Sequence, residues 1–421
     1  METIAKDRNF FMVFTGGLLG SIMEWYDFTV YVYLAPIIAH LFFPHQNAYV
    51  SMLMAYAVFA VGYVVRPIGA IFFGHYGDRI GRRKILLFTI LMMSLTTFAI
   101  GFLPLYSEVG VLSPLLLITL RMVQGFSTAG EVVGAITYTF ESASPRHRGF
   151  WSTSLWVGSG FGVLIASFIV AAVAHSFSTE EMASWGWRLP FIFGLLTGVI
   201  GFLIRRKTPE SVYFSAMVKR GEVLSFPTLG VLKNYKIPLL KILVIFIPSA
   251  VNYYIFFIFL PTYSSDFLGH SLPDALIVNT ITMSFLFIFT PIFAFLSDRI
   301  GRRPFLLTGL VANILLSITL FNLIATGTLI HFFIAQAIFS IIHSIYTAAV
   351  LSTSLESVPT RIRFSAMAIA YNIAYAIFGG TAPLVVTYLI HRNKSLISPS
   401  FYIIFLACIA LLAVLKMRET H

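Results

Sequence analysis

Gly77-Asp78-Arg79-Ile80-Gly81-Arg82-Arg83 recurs 220 residues later as Ser297-Asp298-Arg299-Ile300-Gly301-Arg302-Arg303. Six of the seven positions are identical. A second pair repeats in the same order: Glu141 and Arg148 are seven residues apart, and so are Glu356 and Arg363. Two motifs recurring at matching places identify an internal duplication. Each heptapeptide sits between the second and third apolar runs of its half, and each acid–base pair follows the fourth.

Working outward from these anchors, twelve apolar runs are long enough to cross a bilayer, which takes about 20 residues each. They cover 10–40, 47–74, 85–106, 112–140, 150–177, 187–205, 239–266, 273–296, 304–326, 328–355, 362–391 and 398–415. Lipid cannot satisfy free backbone N–H and C=O groups, so each run is expected to be a helix. A transmembrane barrel would need short alternating strands, and these runs are too long and too evenly apolar. The expected fold is an all-α membrane protein with twelve transmembrane helices in two pseudo-symmetric six-helix bundles. The largest break, 206–238, contains Pro209, Pro227 and Pro238 among many basic residues. It divides an N-terminal bundle, 1–205, from a C-terminal bundle, 239–421, as a cytoplasmic linker. A duplicated six-helix unit with a polar path between the halves is a transporter architecture.

Composition agrees. The 421 residues are 58% hydrophobic and 11% charged, where a soluble chain would carry roughly 25% charged residues. The net charge of +11 raises the question of nucleic acid, but its distribution answers it. Twenty-three of the 28 Lys and Arg fall on alternate inter-helix segments and the termini. This is the positive-inside pattern and places both termini in the cytoplasm, so no nucleic-acid partner is expected. The single cysteine, Cys408, makes neither a disulfide framework nor a metal cluster. No cleavable leader is visible in METIAKDRNF. There is no Walker-type loop, no Cys/His metal spacing and no nucleophile–base constellation. Neither a cofactor nor an enzymatic activity is expected.

Ionisable side chains inside a membrane cost roughly 2.5–3.5 kcal/mol each on insertion scales, so each is a functional candidate. Five are retained: Glu24, Asp27, Arg66, Arg121 and Glu131. Gly17, Gly20, Glu24, Asp27 and Tyr31 follow one helical face of the first run. Two carboxylates that close in a partly dry site cannot both hold a charge without partners, and a carboxyl that stays neutral can carry a coupling proton. In the fourth run, Arg121, Gln124, Thr128 and Glu131 also share a face. Arg121 and Glu131 are roughly 15 Å apart along the axis and must find partners elsewhere. Glu131 with Arg66, and Arg121 with Asp27, are the candidate pairs, and an arginine fork also suits a carboxylate ligand. Arg66 precedes Pro67, and a structural or gating role is expected there. In the second half the central polar groups are neutral: Asn252, Tyr253, Tyr254, Gln336, His343, Tyr371, Asn372 and Tyr375. Tyr254, Tyr371 and Asn372 are taken as solute contacts, since aromatic faces hold quaternary ammonium groups. Gly81 and Gly301 suit the tight turns of the short loops.

Gly74-x-x-x-Asp78-Arg79-x-Gly81-Arg82-Arg83 resembles the loop 2–3 signature of the major facilitator superfamily. Glu24-Trp25-Tyr26-Asp27-Phe28, Arg66-Pro67-Ile68-Gly69, Gln124-Gly125-Phe126-Ser127, Gly130-Glu131 and Trp185-Gly186-Trp187-Arg188-Leu189-Pro190-Phe191 narrow the resemblance to the metabolite–proton symporters. Tyr253-Tyr254 and Leu260-Pro261-Thr262-Tyr263 are similar to the proline/betaine transporters of that group. The resemblance runs from about residue 15 to residue 418.

It implies a secondary active transporter in a bacterial cytoplasmic (inner) membrane, working as a monomer by proton-coupled symport with alternating access. The solute is expected to be a zwitterionic osmoprotectant of proline or betaine type. A dicarboxylate or tricarboxylate such as 2-oxoglutarate or citrate is the alternative, and a passive facilitator or a transporter-derived sensor is the rival from another class. The resemblance further implies that Asp78 and Asp298 dock at the starts of the eleventh and fifth helices, stabilising an outward-facing state. Glu141 with Arg148, and Glu356 with Arg363, resemble the cytoplasmic ion-pair clamps of sugar porters. Arg79, Arg82, Arg299 and Arg302 join them as gating residues. Two departures stand out. The run Ala129-Gly130-Glu131-Val132-Val133-Gly134 lacks the Tyr and Thr that follow the acid in the osmosensory relative. The long charged C-terminal tail of that relative has no counterpart before His421, so osmotic gating of that kind is not expected.

Overall fold

The computed structural model describes the backbone of residues 2–417 and 419, with side chains except at 2–9, 48, 49, 52, 266, 272 and 273. The apolar runs form helices. In the first half these are α1 (Glu2–Tyr33), α2 (Ala48–Ile80), α3 (Arg82–Ile100), α4 (Leu112–Ser142), α5 (Arg148–Gly158 and Phe161–Ser176) and α6 (Arg188–Arg206). In the second half α7 runs through Lys236–Tyr253, a π-helical segment Tyr254–Phe259 and Leu260–Leu268. It is followed by α8 (Leu272–Ile300), α9 (Arg302–Ala325) and α10 (Leu329–Glu356). The last two are α11 (Arg363–Ile373, π-helical Ala374–Gly379, Gly380–Asn393) and α12 (Ser398–Leu415). The segment 206–238 holds two short helices, Val212–Lys219 and Pro227–Asn234.

Among the described residues, ten of these helices are long and apolar enough to cross a membrane. The two outside that set are α1 and α4, which carry Glu24, Asp27, Arg121 and Glu131. Large apolar side chains face outward: Val64, Phe168 and Leu384 are 72–74% exposed. Lipid covers such surfaces without cost, and water does not.

The chain packs as two compact units. The first comprises Met1–Ser142, Gly158–Thr228 and Thr360–Ala368; the second comprises Ala143–Val157, Leu229–Pro359 and Ile369–His421. The opening turns of α5 and α11 thus pack within the unit formed mainly by the other half of the chain. At one end of the first unit Phe42, Trp187, Phe191, Leu117 and Ile38 form a core, with Phe42 and Trp187 edge to face at 5.5 Å. In the second unit Phe256 stacks on Phe339 at 4.1 Å, and the Tyr346 hydroxyl donates to the Ile245 carbonyl. The turns between α2 and α3 and between α8 and α9 are single glycines. Gly81 and Gly301 have φ of 111° and 117°, a region any Cβ would strain.

Candidate functional site

In the first unit, α1 brings Glu24, Asp27 and Tyr31 against α2, α3 and α4. Glu24 is buried, and one of its oxygens lies 3.6 Å from the Arg66 guanidinium. Arg66 also lies over the rings of Tyr63 (4.4 Å) and Phe28 (4.8 Å). Asp27 is 1% exposed, and neither carboxylate oxygen makes a hydrogen bond. The Thr97 hydroxyl lies beside it. Tyr31 anchors its hydroxyl on the Ala55 carbonyl at 2.9 Å.

Arg121 is fully buried. Nη1 donates to Gln124 Oε1 at 2.8 Å, and Gln124 Nε2 donates to the Thr97 hydroxyl at 2.7 Å. Its guanidinium carbon lies 4.3 Å from the Tyr31 ring, 4.8 Å from Phe28 and 5.3 Å from Phe59. Nε and Nη2 have no hydrogen-bond partner. An acid and a guanidinium thus lie buried in one unit with unused bonding capacity, which is costly unless something completes it.

Glu131 differs in this respect. Its partner is neither Arg66 nor Arg121 but Arg205, near the end of α6. Its other oxygen accepts from the Thr89 hydroxyl at 2.6 Å. Arg205 also donates to the carbonyls of Gly16 (2.8 Å), Leu86 (3.0 Å) and Gly17 (3.4 Å). The candidate pairing of Glu131 with Arg66 is therefore replaced. Arg66 is taken by Glu24, and Arg205 is a buried ligand of three backbone carbonyls and one acid. In sequence it reads as the first residue of a basic flank, identical in appearance to Arg206 beside it. The only available signal was an unclaimed acid on α4 that had to find a cation on a neighbouring helix.

The repeated motifs build two matching networks. In the first unit, Asp78 accepts the backbone N–H groups of Phe364 (3.3 Å) and Ser365 (2.8 Å) at the start of α11, where the helix dipole favours an anion. Arg82 pairs with Asp78 at 2.9 Å and Glu141 at 3.2 Å and donates to the Thr360 carbonyl. Arg363 pairs with Glu141 at 3.0 Å. In the second unit, Asp298 accepts from the N–H groups of Gly149 (3.0 Å) and Phe150 (2.7 Å) at the start of α5. Arg302 pairs with Asp298 at 2.6 Å and Glu356 at 3.2 Å, and Arg148 pairs with Glu356 at 2.9 Å.

Two expectations are corrected here. The acid–base pairs are exchanged: Glu141 takes Arg363 and Glu356 takes Arg148, because each arginine opens a helix whose first turn packs in the opposite unit. Arg79 and Arg299 are exposed and lie outside both networks; Arg299 lies over Phe295 at 4.2 Å. Asp78 and Arg82 meet across the Gly81 turn, whereas position 79 is turned about 100° from 78 around α2.

A further pair escaped the sequence reading. Glu210 accepts the N–H groups of Arg82 and Arg83 at the start of α3. Glu419 does the same for Arg302 (2.9 Å) and Arg303 (3.1 Å) at the start of α9. Each acid follows the last helix of its half, and that placement was the available signal.

In the second unit, Tyr371 is buried and stacked on Tyr375 at 4.4 Å. A hydrogen-bonded chain runs from the Tyr375 hydroxyl through Ser249 and Thr347 to His343, with steps of 3.2–3.3 Å. Asn372 is buried beside Tyr371, and Tyr254 lies against Gly379. Among the described residues no group of three or more His, Cys, Asp or Glu is placed to hold a metal ion.

The chain is similar to known proteins. Residues 13–383 and 268–420 match the Major Facilitator Superfamily. The Proline/betaine transporter of Salmonella typhimurium is 35% identical, covering 99% of this chain and 85% of the relative. The Glycine betaine/proline/ectoine/pipecolic acid transporter OusA of Dickeya dadantii is 36% identical over the same shares. A Putative proline/betaine transporter of Staphylococcus aureus is 32% identical, covering 97% and 88%. Among solved structures, the proton:xylose symporter XylE bound to 6-bromo-6-deoxy-D-glucose superimposes with a TM-score of 0.80. That match has 17% identity and covers 99% of this chain and 97% of the other, so it speaks to the fold alone. The chain is a multi-pass membrane protein with the twelve-span architecture of the major facilitator superfamily, to which it belongs.

Proposed function

We propose that this chain is a secondary active transporter of a small zwitterion of proline or betaine type, taken up with protons across a bacterial inner membrane. The observation that carries this reading is the contrast within the first unit. Glu24 has Arg66 as its counter-ion, and Glu131 has Arg205, but both oxygens of Asp27 and two nitrogens of Arg121 are buried without a hydrogen bond. Arg121 Nε and Nη2 offer a fork for one carboxylate. The rings of Phe28, Tyr31 and Phe59 beside it suit a substituted ammonium group. Asp27, relieved of its charge by a proton, becomes tolerable in its dry surroundings. The relatives named for proline, betaine and ectoine transport point to the same solute chemistry.

In the mechanism proposed, a proton on Asp27 and the solute carboxylate on Arg121 complete the site together. The halves 1–205 and 239–421, joined by 206–238, then alternate access to either side. The networks around Arg82 and Arg302 hold one conformation by their carboxylate caps and yield when the loaded site favours the other. Both termini lie in the cytoplasm in this scheme.

Uptake into proteoliposomes of purified protein under an acid-outside gradient tests the proposal, with proline, glycine betaine, 2-oxoglutarate, citrate and shikimate as solutes. Concentrative uptake of proline or glycine betaine, abolished by a protonophore, is expected. Accumulation of a dicarboxylate or tricarboxylate instead would overturn the solute assignment. Flux that merely equilibrates would overturn symport.

A further inference from the structure

Helix α7 breaks into a π-helical segment at Tyr254–Phe259, directly before Leu260-Pro261. Proline has no backbone N–H. In an α-helical ladder the N–H of residue 261 would serve the carbonyl of Phe257, and in a π-helical ladder that of Phe256. The N–H of Leu260 bonds the Ile255 carbonyl, so it does not serve Phe256 either. The proline therefore withdraws a ladder donor from the Phe256 and Phe257 carbonyls, in the middle of a membrane-spanning helix.

Both are taken by side-chain amides from neighbouring helices of the second unit. Gln336 Nε2, on α10, donates to the Phe256 carbonyl at 2.7 Å. Asn279 Nδ2, on α8, donates to the Phe257 carbonyl at 3.1 Å. The two amides are joined to each other, Gln336 Nε2 donating to Asn279 Oδ1 at 2.6 Å. Gln336 is fully buried.

What the break separates gives it a consequence. N-terminal to it, Tyr253 packs edge-on against Trp156 at 6.5 Å and faces His343 at 6.3 Å. The Tyr254 ring lies against Gly379, where an added Cβ would come within 2.8 Å of it. C-terminal to it, Tyr263 ties the end of the helix to the Leu396 carbonyl at 2.9 Å. A π segment adds a residue to the turn and so rotates one half-helix relative to the other by about 100°. We propose that Gln336 and Asn279 are positioning residues, an amide clasp that holds the break in α7 and thereby sets where Tyr253 and Tyr254 stand relative to the half-helix Leu260–Leu268. The geometry is independent of the solute; only the effect on turnover rests on the transport reading.

The test is amide hydrogen exchange on the purified full chain, with Gln336→Leu, Asn279→Leu, Pro261→Ala and Pro261→Ala/Gln336→Leu. Each leucine variant should speed exchange of residues 257–268 about tenfold and leave α9 unchanged. Pro261→Ala restores the missing N–H, which in the π register set by Leu260 serves the Phe256 carbonyl, so Gln336→Leu should add little in that background. Unchanged exchange in the leucine variants would overturn the clasp. So would an equal increase with and without Pro261→Ala, or an increase spread across the second unit. In proteoliposomes with glycine betaine, Gln336→Leu should lower turnover severalfold while half-saturation stays within about twofold. If the unsubstituted protein does not move glycine betaine, the solute reading falls and the exchange result still decides the clasp.

Discussion

Glu131 and Arg205 form a buried ion pair in which every polar side-chain atom is used: both carboxylate oxygens and all three guanidinium nitrogens have partners. Losing one member leaves the other charged and buried without a counter-ion, which costs about 3–5 kcal/mol. Replacing both with neutral groups of similar volume costs far less. Glu131→Ala and Arg205→Ala are therefore expected to lower the melting temperature sharply or abolish folding. Glu131→Gln/Arg205→Met should fold near the parent's melting temperature and still accumulate solute on a pH gradient. A folded double variant that exchanges solute but no longer responds to the gradient would return Glu131 to the coupling step.

Asp27 and Arg121 carry the opposite expectation. Their unused bonding capacity contributes nothing to folding, so conservative changes should leave stability intact and alter transport. Asp27→Asn is expected to keep solute exchange between equilibrated compartments, lose accumulation driven by pH, and flatten the pH profile of uptake. Glu24→Gln should do less, because Arg66 retains its contacts with Phe28 and Tyr63. Arg121→Lys replaces a planar fork with a point charge. It should raise the half-saturating concentration roughly tenfold to a hundredfold, the equivalent of about 1.5–3 kcal/mol for a charge-assisted bond. Concentrative uptake by Glu24→Gln/Asp27→Asn would remove both acids from coupling.

The fold was legible because membrane helices announce themselves by length and apolarity, and the duplicated heptapeptide set the register of the two halves. The helical stripe Glu24–Asp27–Tyr31 and the α4 stripe through Arg121 were legible for the same reason: a period read along one helix needs no tertiary knowledge. What could not be read was choice of partner. Arg205 and Arg206 look alike until α6 is packed, and only then does one reach Glu131. Glu141 has arginines near it in sequence and a different one, Arg363, in space. Pro261 stood in the run that became α7 without being read as a break, and nothing local identified Gln336 and Asn279 as the groups that would bond the carbonyls beside it.

Within the repeated heptapeptide, the second arginine is expected to matter more than the first. Arg82 is buried among Asp78, Glu141 and the Thr360 carbonyl, while Arg79 is exposed. An exposed charge contributes about 0–1 kcal/mol, and a buried networked one several times that. Uptake by Arg79→Ala should stay within about twofold of the parent, and Arg82→Ala should lose at least tenfold. Equal losses from the two would mean that the motif acts through net charge.

The exchanged acid–base pairs make the sharpest case, because proximity in sequence and proximity in space give opposite answers. Arg148 lies seven residues from Glu141, yet it bonds Glu356, 2.9 Å away. A charge reversal at Arg148 sets its new acid against Glu356, and like charges at that range are destabilising. Reversing the true partner should relieve the conflict, while reversing the sequence neighbour should not. Arg148→Glu alone is expected to lose most uptake, Arg148→Glu/Glu356→Arg to recover a substantial part, and Arg148→Glu/Glu141→Arg to recover none. Rescue is expected to be partial, since Glu356 also holds Arg302 at 3.2 Å and an arginine there faces a second cation. Rescue by the Glu141 variant in its place would show that the clamp joins neighbours along the chain, and the assignment of Arg148 to the second unit's network would have to be given up.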